Sequence, residues 1–123
     1  MQQALRIFIL AFASAILSAS TAIAGDVVVP PILARGAPSQ AAANMTTLVA
    51  SELEFTGEFD TVHQLSSRPS QLGTNCLGSS PCLAGIAKSK GAKDLLAGKV
   101  TKYGAEFEVT LTFLSNGKIA RTV

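Results

Sequence analysis

The chain contains two cysteines, Cys76 and Cys82, with five residues between them. In a protein exposed to an oxidising compartment, an even pair of cysteines predicts a disulfide. Such a bond would fasten an irregular loop to the start of the helix that follows it. A ring this short stabilises a fold by about 2–3 kcal/mol, mainly by restraining the unfolded chain. We therefore interpret Cys76 and Cys82 as a structural disulfide.

The same thiols also allow a redox interpretation. Cys82 falls just inside the predicted start of a helix, where the helix dipole favours a thiolate. However, the C-x5-C spacing differs from the C-x-x-C spacing of thiol oxidoreductases. The alternative function is therefore a thiol–disulfide or redox-sensing protein that uses Cys76 and Cys82.

The sequence shows no set of residues that indicates catalysis. His63 is the only histidine, and the G-x-S-x-G pattern of a serine hydrolase is absent. His63 and the two cysteines together would supply three candidate metal ligands, whereas a structural zinc site usually takes four. We expect no catalytic residues, no metal and no cofactor, and we predict that the protein is not an enzyme.

The charge of the chain is nearly balanced, with a formal net charge of +2 at pH 7. This value gives no reason to expect nucleic acid as a partner. Runs of basic residues usually form a solvated face, and we interpret those of the second half in this way. The alternative interpretation is a contact patch for an acidic partner or for lipid head groups. The residues of this candidate patch are Lys88, Lys90, Lys93, Lys99 and Lys102.

The first 24 residues are typical of a cleaved secretory signal peptide. Arg6 precedes an apolar stretch from Ile7 to Leu17, and the segment ends in Ala22-Ile23-Ala24. The stretch is shorter than the roughly 20 apolar residues of a membrane-spanning helix. No cysteine lies near the cleavage position to accept a lipid. We expect a periplasmic protein that begins at Gly25, forms one domain over residues 25–123 and has no integral membrane segment after cleavage.

Periodicity in the first half of this domain predicts a strand, a helix and a second strand. Val27-Val28-Val29 is typical of a buried strand. Apolar residues at three- and four-residue steps then follow Ser39, and Gly57 is placed to end that helix. Residues 58–64 are expected to form the second strand.

The second half predicts one helix and three strands. Ser80-Pro81 favours a helix start, and the helix is expected over residues 82–90. Strands are expected over 93–102, 106–114 and 118–123, with Asn116-Gly117 as a two-residue hairpin turn. The predicted fold class is α/β (α+β), with a small mixed sheet of about five strands. We expect both helices on one face and an antiparallel meander at the C-terminal end.

The run from Cys76 to Val123 resembles a module of exported bacterial proteins with paired cysteines. The matching features are a helix of the type LAxIAxxxGA at residues 83–92, a glycine-containing strand at 98–100, and a strand ending in Gly-Lys at 107–118. With the first half, this pattern is similar to the N-terminal α/β domain of TolB-like periplasmic proteins.

The resemblance implies a non-enzymatic periplasmic module that binds other proteins at the cell envelope. Its expected partner is an envelope protein, which the sequence does not identify. A second copy of the chain is also expected to be able to pair through the exposed last strand. A further hypothesis is a truncated family member that folds poorly.

Overall fold

The computed structural model describes residues 25–123. The signal peptide expected at residues 1–24 lies outside the described residues. The elements, in chain order, are β1 (Asp26–Val29), β2 (Leu33–Arg35), α1 (Ser39–Thr56), β3 (Thr61–Gln64), a 3-10 turn (Cys76–Gly78), α2 (Ser80–Ser89), β4 (Asp94–Tyr103), β5 (Glu106–Ser115) and β6 (Lys118–Thr122).

The six strands of residues 25–123 belong to one mixed sheet, in which five of them follow the order β3-β1-β4-β5-β6. Strand β1 runs parallel to both β3 and β4, whereas β4, β5 and β6 form an antiparallel meander. Strand β2 also pairs in parallel with β4, further along it than β1. The mixed α/β class and the C-terminal meander are confirmed, and β2 is a short strand in addition to those expected from the sequence.

Strands β1 and β2 form one interrupted strand beside β4, separated by Pro30-Pro31 and Ile32. The prolines have no N–H groups to donate to a neighbouring strand. Beyond them, the Ile32 N–H donates to Thr46 Oγ1 of α1 at 2.9 Å. The Thr46 hydroxyl in turn donates to the Ala42 carbonyl at 2.8 Å. Thr46 thus provides the hydrogen-bond acceptor for the Ile32 N–H at the point where the prolines interrupt the strand.

The two helices cover opposite faces of the sheet, so their predicted placement on one face is wrong. In β1, Val27 and Val29 pack with α1, whereas Val28 packs with α2. Strand β4 divides in the same way, with Leu96 on the α1 side and Leu95 on the α2 side. Alternate residues of a strand point to opposite faces, and the sheet therefore has a core on each side.

The strand order explains this arrangement. The connection from β1 through α1 to β3 moves towards one edge of the sheet, and the connection from β3 through α2 to β4 moves back across β1. Crossovers between parallel strands are almost always right-handed. Two right-handed crossovers that move in opposite directions place their helices on opposite faces.

Candidate interaction surface

The disulfide anchors the polar loop before α2 to the helix itself. The sulfur atoms of Cys76 and Cys82 are bonded, and their Cα atoms lie 5.4 Å apart. Cys76 is buried in the α2-side core next to Leu77. The Ser79 side chain caps α2 by accepting a hydrogen bond from the Cys82 N–H at 3.3 Å. The bond therefore holds together two segments that the core and the cap already place side by side.

The candidate basic patch divides into two regions. Lys88 and Lys90 lie at the C-terminal end of α2, and Lys93 follows just before β4. Lys102 lies near the other end of β4, nine positions beyond Lys93, which corresponds to about 30 Å along a strand. Lys99 is half-buried on the strand between them. The structure therefore brings Lys88, Lys90 and Lys93 together but does not place Lys102 with them.

Lys88 and Lys93 border an open groove of about 320 Å³ between the end of α2 and the β5–β6 turn. Leu114 and Ala87 line its apolar side, and Asn116 and Gly117 line its polar side.

Near this end of the sheet, burial raises the pKa of Asp94 from its usual value. Hydrogen bonds from the Ser115 hydroxyl, at 2.9 Å, and the Asn116 backbone, together with the charge of Lys93, partly oppose that rise.

His63 forms a pair with a carboxylate rather than with the cysteines. Its Nε2 atom lies 3.0 Å from Asp26 Oδ2, across the parallel strands β1 and β3. Both side chains are well exposed to solvent. Within residues 25–123, no group of three or more histidine, cysteine or acidic side chains is arranged to hold a metal ion.

The β4–β5 hairpin tip, residues 102–108, is a continuous exposed segment with two aromatic side chains. Every residue from Lys102 to Glu108 is exposed. Tyr103 is 61% exposed and Phe107 is 45% exposed. Tyrosine and phenylalanine are enriched at protein interfaces, where they bury large areas of apolar surface. The tip can therefore present aromatic and charged side chains to another protein.

This tip was not among the sites expected from the sequence. Phe107 and Phe113 lie on the same face of β5, because alternate residues of a strand share a face, but Phe113 is buried and Phe107 is not. The available signal was two aromatic residues on either side of the Gly104 turn. Strands β4 and β5 each have ten residues, so the hairpin extends beyond the part of the sheet that the helices cover.

Phe55 is the other strongly exposed aromatic side chain, at 87%. It lies in the last turn of α1, which is a different element from the β4–β5 hairpin. None of the helices within residues 25–123 combines the length and apolarity needed to cross a membrane.

Comparison with known proteins identifies relatives at the level of fold. No protein-family model matches the chain, and no curated protein matches it by sequence. The C-terminal domain of LpoB from Escherichia coli is similar, with 20% identity and a TM-score of 0.57, over 91% of this chain and 89% of that domain. In the NMR structure of E. coli LpoB, the match has 21% identity and a TM-score of 0.56, and it covers 90% of this chain but 60% of LpoB.

Lipoprotein GNA1162 from Neisseria meningitidis is also similar, with 16% identity and a TM-score of 0.51. That match covers 80% of this chain and 76% of the lipoprotein. These likenesses correct the expected resemblance to TolB-like N-terminal domains, which is wrong. The features that suggested it were the cysteine pair, the helix at residues 83–92, and the strands at 98–100 and 107–118. These features describe local structure that different small α/β domains can share.

Proposed function

We propose that this chain is an exported, non-catalytic binding module of the bacterial cell envelope, acting through protein–protein contacts. In this proposal residues 1–24 are removed as a signal peptide, and the single domain of residues 25–123 is released into the periplasm. Tyr103 and Phe107, at the hairpin tip, would make the principal contact.

The exposed hairpin tip carries the proposal. Large aromatic side chains that remain in solvent expose apolar area that a partner would bury. By the strand register, Tyr103 lies beside Glu106 on one face of the hairpin, and Phe107 lies beside Lys102 on the other face. Each exposed aromatic side chain therefore has a charged neighbour, as at the polar rim of an interface. No described cluster offers comparable support for catalysis.

Two further observations support the envelope location. A disulfide persists in oxidising compartments and is rare in the cytosol, and this structure contains one. The lipoprotein GNA1162 shares the fold, and lipoproteins are attached to membranes.

Cell fractionation combined with site-specific photo-crosslinking tests the proposal. A photo-reactive residue replaces Tyr103 in one variant and Phe55 in a matched control, because both positions are exposed but lie on different elements. We expect a periplasmic, oxidised protein whose N-terminus is Gly25. We also expect a covalent adduct with one envelope protein from position 103 and none from position 55.

Two results would contradict the proposal. A cytoplasmic protein with free thiols at Cys76 and Cys82 would exclude the envelope location. Equal adducts from positions 103 and 55 would show that the hairpin tip has no special part in binding.

A further inference from the structure

We propose that the outer edge of β5, residues 106–110, binds an extended basic segment of a partner protein as an additional strand. We call these residues the β5 edge. The inference rests on the proposed function, because it names the kind of partner that the binding module would take. It also adds backbone hydrogen bonds to the contacts of the exposed side chains.

The backbone of the β5 edge has unpaired groups. Leu111 and Val123 exchange two hydrogen bonds, from Leu111 N–H to Val123 C=O at 2.7 Å and from Val123 N–H to Leu111 C=O at 2.9 Å. Along an antiparallel strand, the direction of these groups alternates with each residue. The N–H and C=O groups of Phe107 and Val109 therefore point the same way as those of Leu111, away from β4.

No strand within residues 25–123 covers those groups. Strand β6 pairs with Thr112–Ser115 of β5, and Val123 adds the pair with Leu111. Residues 106–110 pair only with β4, on their inner side. An exposed row of unpaired backbone groups is a template on which another extended chain can form a strand.

The side chains of the β5 edge divide by charge between the two faces. Glu106 and Glu108 lie on one face, and neither forms an ion pair among the described residues. Thr101 and Lys99 of β4 share that face, opposite Glu108 and Thr110. Phe107 and Val109 lie on the other face, where Val109 packs against the α1-side core.

This division specifies a partner strand. Opposite charges directly across neighbouring strands stabilise pairing, so lysine or arginine side chains of the partner would lie beside Glu106 and Glu108. Apolar side chains at the alternate positions would lie beside Phe107 and Val109 and cover their exposed surface. The expected segment therefore alternates basic and apolar residues.

A second copy of this chain fits the β5 edge poorly. In a symmetric antiparallel pair, centring on Glu108 places that residue opposite its own copy. Centring on Phe107 places Glu106 opposite Glu108 twice, and like charges directly opposite destabilise pairing. Centring on Val109 would require Leu111, whose outward groups already bond Val123.

The test uses protein purified from cells that export it, observed by amide NMR and hydrogen exchange. The probe is a six-residue peptide of alternating lysine and valine, and the control peptide has glutamate in place of lysine. We expect the basic peptide to bind about tenfold more tightly than the acidic one. It should slow hydrogen exchange at Phe107 and Val109, and its affinity should fall as salt is added.

Variants separate the backbone contribution from the charge. Phe107→Pro removes one outward N–H, and proline is tolerated where the N–H faces solvent; we expect the basic peptide to lose its binding. Phe107→Ala keeps that N–H and should retain protection at Val109. The double variant E106Q/E108Q should abolish the preference for the basic peptide. Hydrogen exchange at Phe107 and Val109 of the unmodified protein, measured with and without the basic peptide, tests the inference even if the proline variant fails to fold.

Three results would overturn the inference. They are equal affinity for the two peptides, spectral changes at the groove near Lys88 instead of at the β5 edge, and a dimer that pairs through residues 106–110. If an envelope partner still forms an adduct from position 103 while the peptides do not bind, the β-strand inference fails and the proposed function stands. If no adduct forms and the protein is cytoplasmic, the proposed function itself fails.

Discussion

Leu111 lies against Gly98 on the neighbouring strand, and this contact leaves no room for a side chain at position 98. The two residues are direct partners in the β4–β5 register. A β-carbon on Gly98 would lie 2.8 Å from Leu111 Cδ2 and 2.6 Å from the Thr110 carbonyl oxygen. Because one of these atoms belongs to the backbone, the strand itself would have to move.

The change Gly98→Ala is therefore expected to lower the free energy of unfolding by about 1–3 kcal/mol, as other overpacked substitutions do. Chemical denaturation measures it. Gly85→Ala is the matched control, because position 85 lies in α2 with open space around it. That control should raise stability by about 0.5–1 kcal/mol. Equal effects of the two changes would show that the close approach does not matter.

Thr46→Val tests how the proline interruption between β1 and β2 is stabilised. Valine has nearly the same shape but cannot accept the hydrogen bond from the Ile32 N–H, which would then be buried without a partner. We expect a loss of about 1–3 kcal/mol in the free energy of unfolding. The neighbouring change Thr47→Val removes only an exposed hydrogen bond with Gln64 and should cost less than about 0.5 kcal/mol. Similar losses from both changes would contradict the role given to Thr46.

Replacing both Cys76 and Cys82 by alanine is expected to destabilise the fold by about 2–3 kcal/mol. Alanine is suitable because Cys76 is buried among apolar side chains, where serine would place a hydroxyl group. Thermal unfolding of the double variant and of the oxidised protein measures the difference. An unchanged transition would mean that core packing alone holds the loop against α2.

The reduction potential of the Cys76–Cys82 bond decides between its structural and redox interpretations. We expect a value below about −300 mV and no free thiols in the native protein, as for structural disulfides. A value of about −120 to −270 mV, the range of thiol oxidoreductases, would favour the redox interpretation instead.

Asp94 makes the stability of the fold depend on pH, and the sign of this dependence follows from its raised pKa. Because burial makes the folded state hold this proton more tightly than the unfolded chain does, the group destabilises the fold as pH rises from the usual aspartate pKa through the raised one. Asp94→Asn removes that titration, and its amide oxygen can still accept the hydrogen bond from Ser115. The stability difference between Asp94→Asn and the unmodified protein should therefore move in favour of asparagine across this pH window.

Denaturation at a series of pH values measures the effect, and Asp60→Asn serves as a control at an exposed position. A stability difference for Asp94→Asn that stays constant with pH would contradict the assigned shift.

Local signals in the sequence were sufficient for most individual elements. Gly57 ends α1 with a φ of +70°, and Asn116 and Gly117 form the β5–β6 turn with φ values of 52° and 81°. These positions need backbone conformations that few residue types adopt easily, so the residue type itself identifies the turn. The cap of α2 is Ser79, one residue earlier than expected.

The sides occupied by the helices could not be predicted in the same way. The run Leu95-Leu96-Ala97 is consistent with a strand buried on both faces, but periodicity does not say which helix covers which face. That depends on β1 lying between β3 and β4, a long-range arrangement. The exposure of Phe107 has a similar cause, because it depends on how far α1 extends over β5.

The position of β1 between β3 and β4 also has a consequence for the order of folding. Strand β1 is near the start of the described chain, but one of its two neighbours is β4, which contributes Asp94 and Leu95. Pairing across so many residues closes a large loop, whereas β4, β5 and β6 are joined by tight turns. During synthesis β1 must therefore wait until β4 has emerged before the two strands can pair, so the sheet is completed late.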